Sequence, residues 1–131
     1  MSKSNYPTPS ESSEQMAVMR WAEYIANRDP RLKLLFHIPN GGSRRPVEAA
    51  RFKAEGVKSG VPDLFLPVAV RPWHGLFIEL KRKKGGRVSR EQREWIDALR
   101  EQGYFAQVAF GAEDAIDIII KYLNSGGEKN D

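Results

Sequence analysis

The sequence predicts an α/β fold, a mixed β-sheet of about four strands with helices on its faces. Three observations lead there. Segments near both ends place apolar residues at near-helical spacing. Between them lie short runs rich in Val, Leu, Ile and Phe, bounded by Gly and Pro. The elements then alternate: helix, strand, helix, strand, strand, helix, strand, helix.

Each element has a local cause. Ser12 or Ser13 can cap a first helix running to about Arg28. Met16, Met19, Trp21, Ala22, Tyr24 and Ile25 supply its apolar stripe, and Asp29-Pro30 ends it. LLFHI, 34–38, reads as a strand, and PNGGSRRP as a loop. Pro46 suits a first helical position, so VEAARFKAE forms a short helix closed by Gly56. Two strands follow, Asp63 to Val68 and Leu76 to Leu80, whose connection VRPWHG permits antiparallel pairing. Ser89 with Gln92 three residues on is a capping-box pattern opening a helix that Gly103 ends, with Trp95, Ile96 and Leu99 inward. YFAQVAF is the next strand. Ala112 to Leu123 is a last helix, with Ile116, Ile119, Ile120 and Leu123 on one side. One domain over 11–124 is expected, with a disordered tail at 1–10 and a flexible one at 125–131.

Composition narrows the chemistry. The 131 residues suit one core, and 40% hydrophobic with 29% charged content is that of a soluble globular chain. The absence of cysteine excludes disulfides, thiolate zinc sites and thiol nucleophiles, and is compatible with a reducing cytoplasm. No signal peptide or membrane span is legible. Two histidines, His37 and His74, do not make a zinc site; His37 reads as a satisfied, partly buried strand residue and His74 as exposed. Trp21, Trp73 and Trp95 read as core or interface, with Trp73 the one candidate for base stacking. No Walker-type or G-x-G-x-x-G loop points to a nucleotide cofactor. The net charge of +4 is unevenly spread. From Lys81 to Arg93 seven Lys or Arg stand against one acid, and Arg44, Arg45, Arg51, Lys53 and Lys58 form a second basic cluster. Such runs fit a polyanion, although a solvated face is their ordinary reading.

Between these clusters, GVPDLFLPV and GLFIELKR carry charge inside apolar strands. Strand residues alternate faces, so Glu79 and Lys81 point the same way, roughly 7 Å apart at Cα. If the two strands pair, Asp63 can lie near Glu79. Two carboxylates, with the Leu80 backbone carbonyl, are ligands that Mg²⁺ or Mn²⁺ accepts in a site completed by phosphate. Lys81 can orient water or offset charge on the phosphate. The plain alternative is a surface ion pair between Glu79 and Lys81, worth little.

Pro62-Asp63 followed by Glu79-Leu80-Lys81 resembles the PD-(D/E)XK nuclease superfamily. More closely, the chain resembles the VRR-NUC family of virus-type replication-repair nucleases, through IPNGG, VEAARFKAEG, GVPDLFLPV, GLFIELKR, SREQREW and GYFAQVAFGAEDAIDIIIKYL. The resemblance implies a restriction-endonuclease-like core and a metal-dependent phosphodiesterase, with Asp63 and Glu79 as ligands and Lys81 as catalytic lysine. It also implies an acid and a glutamine from the first helix. Gln15 fits the glutamine; Glu11, one turn earlier, fits the acid, with Glu14 its rival. Gln92 matches a further glutamine, with capping as its other role. Asn40, Gly41 and Gly42 would approach the phosphates, or simply form a turn. Arg44, Arg45, Arg51, Lys53, Arg82, Lys83, Lys84 and Arg87 would contact the nucleic-acid backbone. A short chain of this kind looks like a phage or prophage enzyme acting in a host cytoplasm, with a role in DNA repair.

The expected activity is an endonuclease on structured DNA such as Holliday junctions or flaps, working as a homodimer whose two-fold axis matches the junction. The competing function is a non-catalytic nucleic-acid-binding or scaffolding module, which the intact Asp63, Glu79 and Lys81 disfavour. RNA as substrate stays open, because phosphate hydrolysis needs the same site.

Overall fold

The computed structural model of the chain describes residues 7–39 and 45–126. The expectations for 1–6, 40–44 and 127–131 fall outside that description.

Helix α1 spans Glu11–Ile25. Its cap is Ser10, not Ser12 or Ser13: the Ser10 side chain accepts from the Ser13 N–H at 3.1 Å. The helix ends before Arg28. Asp29 instead caps a 3₁₀ turn over Pro30–Leu34, accepting from the Arg31 N–H at 3.2 Å. That turn consumes the start of the strand expected at 34–38, so β1 is only Phe36–His37.

The inward face of α1 agrees with expectation at Ala22, which is buried, and at Met19, Trp21 and Ile25, which pack against the core, and differs elsewhere. Glu14, Val18 and Ala22 are its buried residues, while Met16 and Tyr24 are exposed by 52% and 66%. A strict four-residue spacing runs through the buried positions and continues to buried Ala26. The small alanines let the helix lie close to its neighbours, which the larger apolar residues would prevent.

Helix α2, Pro46–Ala54, starts on Pro46 as expected, and Gly56 follows its C-cap with φ 101°. Strands β2, Leu64–Leu66, and β3, Leu76–Lys81, pair antiparallel. Helix α3, Arg90–Glu101, leads to β4, Phe105–Phe110, which runs parallel to β3. Ser89 and Gln92 form the full capping box, with bonds of 3.1 and 2.9 Å. Of the three α3 residues expected inward, Ile96 is buried and Trp95 and Leu99 are half-buried. Helix α4 is Ala112–Ser125, two residues longer than expected. The sheet order is β1-β2-β3-β4.

One sheet face makes the core. Leu64, Leu66, Leu76, Ile78 and Leu80 pack with Val18 and Ala22 of α1 and Ile119 and Leu123 of α4. On α4 the inward residues are Ala115, Ile119, Tyr122 and Leu123; Ile120, expected inward, is 43% exposed. The Tyr122 hydroxyl donates to the Val68 carbonyl at 2.6 Å, tying α4 to the β2–β3 connection. Among the described residues, no helix is long and apolar enough to cross a membrane.

Ile119 is wholly buried. Ile119→Ala should therefore destabilise the fold by about 2–5 kcal/mol, whereas exposed Met16→Ala should stay within about 0.5 kcal/mol of wild type. Urea unfolding of the two variants checks this; equal shifts would contradict the packing.

Candidate active site

The site begins where β2 begins. The β2–β3 register pairs Leu64 with Ile78 and Leu66 with Leu76. Continued toward the start of β2, it sets Asp63 opposite Glu79 and Pro62 opposite Leu80. The Asp63 carbonyl faces the other way, accepting from the Ile38 N–H at 2.7 Å. Asp63 and Glu79 thus face each other as a non-hydrogen-bonded pair, the arrangement that brings cross-strand side chains closest, about 4.5 Å at Cα.

Pro62 carries no N–H, so it cannot donate to the Leu80 carbonyl as a ladder partner would. That carbonyl therefore has no donor at position 62, while the Leu80 N–H donates to a side chain, Asp63 Oδ2, at 2.8 Å. A strand residue sends its N–H and C=O to the same edge. The Leu80 carbonyl therefore points to the β2 side of β3, the edge that Asp63 occupies.

Burial sets the electrostatics. Glu79 is 2% and Lys81 6% exposed, and Lys81 Nζ stands 3.5 Å from Glu79 Oε2. Loss of hydration, then the charge of Asp63, push the Glu79 carboxyl up to about 8, against the opposing pull of Lys81. Glu79 Oε1 is buried with no hydrogen-bond partner among the described residues. An orphaned carboxylate oxygen in such a place is costly unless something completes it.

Neighbouring elements hold the pair in place. His37 Nδ1 lies 2.9 Å from the Asp63 carbonyl. A carbonyl only accepts, so this contact puts the proton on Nδ1. His37 is exposed rather than partly buried, because its strand is the sheet edge. Gly60, with φ 93°, lies so close to α3 that a Cβ there would meet the Glu91 backbone at 2.9 Å. With the Ser59–Glu91 hydrogen bond of 2.9 Å, this seats the start of α3 three residues before Asp63.

The first-helix acids separate clearly. Glu14 is buried, and its Oε1 accepts from the Ala112 N–H at 2.9 Å, at the start of α4. The adjacent Gly111 N–H donates to the Lys81 carbonyl at 2.9 Å, so Glu14 lies beside the end of β3. Glu11, the better fit by spacing, is exposed. Gln15 is half-buried on α1. The Gln92 side-chain carbonyl is committed to the capping box. Arg45 precedes α2. Exposed Arg51 pairs weakly with Glu55 at 3.9 Å, and Lys53 is exposed beside a cavity of about 500 Å³ lined also by Lys58, Ser59 and Glu91. Arg82, Lys83, Lys84 and Arg87 are exposed. Asn40, Gly41, Gly42 and Arg44 lie outside the described residues.

Sequence reasoning missed two contributors. His37 reads from sequence only as a satisfied strand residue, because its reach to the Asp63 carbonyl depends on strand pairing. Pro62 reads as part of the Pro-Asp motif, although its missing N–H was also legible in the sequence.

Residues 9–113 match the VRR-NUC domain. A solved structure described as a VRR_NUC domain protein is 33% identical, with a TM-score of 0.78, covering 92% of this chain and 93% of its own. The search of curated proteins gives no match.

The chain belongs to the VRR-NUC family.

Membership makes it a nuclease domain, and its four-stranded mixed sheet with flanking helices agrees with the VRR-NUC fold. Among the described residues no three His, Cys, Asp or Glu side chains cluster as metal ligands. What the VRR-NUC site offers is a carboxylate pair, one orphaned oxygen and a strand carbonyl. That donor set suits a small hard cation that keeps several waters and takes phosphate oxygen as a further ligand.

The folded-state value of Glu79, about 8, lies above the unfolded 4.5. Its contribution to stability without metal is thus full below pH 4.5 and is lost as the pH rises through about 8. In EDTA the urea midpoint of wild type should fall across that window relative to Glu79→Gln. Equal pH dependence of the two proteins would contradict the buried, protonated Glu79.

Proposed function

We propose that this VRR-NUC domain is a divalent-metal-dependent endonuclease that hydrolyses DNA phosphodiester bonds. The observation that carries the reading is the orphaned Glu79 Oε1, buried opposite Asp63 and beside Lys81. Asp63, Glu79 and the Leu80 carbonyl would hold Mg²⁺ or Mn²⁺. When bound, such an ion polarises the phosphoryl group and activates water at neutral pH.

The chain's own groups do the rest. The Leu80 N–H holds the Asp63 carboxylate in place through Oδ2. Lys81, fixed by burial and by Glu79, places its ammonium where charge grows on the phosphate. Glu14 replaces Glu11 as the first-helix acid of the reading, because burial already holds it beside the end of β3. Gln15 stays the helix glutamine of the site. Gln92 acts through its capping bonds, which seat α3, with its amide N–H₂ left for a phosphate or water. The exposed Arg82, Lys83, Lys84 and Arg87 follow Lys81 directly and would take the DNA backbone, with Arg51 and Lys53 of α2 as further contacts.

The substrate favoured is branched or otherwise structured DNA. The exposed basic residues suit backbone and shape recognition more than base reading. A homodimer would set two sites on one junction. The action is placed in the cytoplasm, of a bacterial host if the protein is phage-encoded.

A labelled four-way junction and a matching linear duplex, each with Mg²⁺, Mn²⁺ or EDTA, test the proposal. Cutting should require metal, favour the junction, and fall about a hundredfold or more in Asp63→Ala and in Glu79→Ala. DNA binding should largely survive in both variants. Undiminished cutting by Asp63→Ala would overturn the assignment.

A further inference from the structure

The sheet face that carries Asp63 and Glu79 also carries a row of aromatic rings. Phe36 of β1 pairs with Phe65 of β2, which pairs with Phe77 of β3. Directly opposed strand residues share a face, and residues two apart do so as well. Phe65 is two residues from Asp63, and Phe77 two from Glu79, so the row lies on the carboxylate side, away from the Leu64–Ile78–Leu80 core. The rings touch in sequence. Phe36 meets Phe65 edge-on at 5.8 Å, Phe65 stacks on Phe77 at 4.2 Å and 12°, and Tyr104 closes the row edge-on to Phe77 at 5.2 Å.

One exposed phenylalanine is ordinary. Phe36 differs by its position. It is 47% exposed at the open end of this row, on the edge strand. Helix α3 packs against β4, at the opposite edge of the sheet. Phe65 braces the ring from behind, so little rotamer freedom remains to be lost on binding.

We propose that Phe36, backed by Phe65, is a stacking site for an unpaired base of the strand whose phosphate enters the Asp63–Glu79 site. The proposal rests on the nuclease reading and narrows its substrate class to branched or structured DNA in which a base beside the cut is unpaired or unstacked, as at a flap or a branch point. The row is displaced from the carboxylates by two strand residues, about 7 Å, or roughly two stacked nucleotide steps. A base held inside a duplex has both faces occupied and offers none to Phe36; an unpaired base offers one whatever its identity. The charge agrees, because the basic run that begins at Lys81 lies at the same end of β3 as Glu79 and would hold the backbone of that strand.

The test uses two oligonucleotides carrying the fluorescent base 2-aminopurine, one single-stranded and one fully paired. They are titrated with Glu79→Ala protein so that nothing is cut. Stacking should change 2-aminopurine emission in the single strand. Adding Phe36→Ala should abolish that change and reduce the preference for unpaired over paired DNA about tenfold. Phe36→Trp should restore both. Phe36→Leu, which keeps an apolar contact to Phe65 but has no ring, should behave as Phe36→Ala.

An unaltered preference in Phe36→Ala, or full function in Phe36→Leu, would overturn the stacking site. A change of mass by light scattering in Phe36→Ala would overturn it as well, marking the ring as a contact between copies of the chain. Cleavage by wild-type protein is scored separately. An uncut junction refutes the nuclease reading while leaving the emission result intact, and a cut junction with unaltered preference refutes only the stacking site.

Discussion

The hydrogen bond from the Leu80 N–H to the Asp63 carboxylate is the contact on which the rest of the site depends. It sits where β2 is preceded by a proline. An ordinary residue at position 62 could donate to the Leu80 carbonyl and continue the ladder. Pro62 cannot, so that carbonyl is left at the edge of the carboxylate pair, while the Leu80 N–H goes to the Asp63 side chain. The same register sets Asp63 against Glu79 in the close, non-hydrogen-bonded position. A sheet has few ways to press two like charges together, and this one is unfavourable in isolation. Burial first and the Asp63 charge second raise the protonation of Glu79, and its Oε1 is left without a partner among the described residues.

Such an arrangement needs a stiff support. The opposite sheet face provides it, with five leucine and isoleucine side chains locked between the sheet and helices α1 and α4. The polar face is then held from three directions. Edge strand β1 grips the Asp63 carbonyl through Ile38 and His37. Glycine 60 lets the start of α3 close on the entry to β2. Glu14 reaches across from α1 to the first turn of α4, next to the end of β3. Carboxylates at helix starts are favourable, so Glu14 holds α1 and α4 together whatever else it does.

Much of this was legible in the residues. Pro46, Ser89 with Gln92, and Gly56 mark helix ends by local chemistry, and those boundaries stand where expected. The charged positions inside GVPDLFLPV and GLFIELKR stood out because buried strands rarely carry charge without a partner. The less legible parts were those set by competition between elements. Leu34 and Leu35 have strand composition, yet Asp29 and Pro30 draw the chain into a 3₁₀ turn first. Met16 and Tyr24 look like core residues, yet α1 turns its alanines inward because they allow closer packing. Local propensity ranks such choices weakly, and tertiary contact decides them.

By itself, then, the sequence singled out Asp63, Glu79 and Lys81 as candidates and set them on neighbouring strands, because charge in an apolar run and alternation along a strand are local properties. Only the tertiary structure decided that Asp63 and Glu79 share a non-bonded cross-strand pair, that Glu14 rather than Glu11 is buried, against the start of α4, and that His37 touches Asp63. Those are matters of register and of how a helix is rotated against the sheet. A single residue of slip would send every side chain of a strand to the other face, and no local pattern in this chain states the register that the packed core selects.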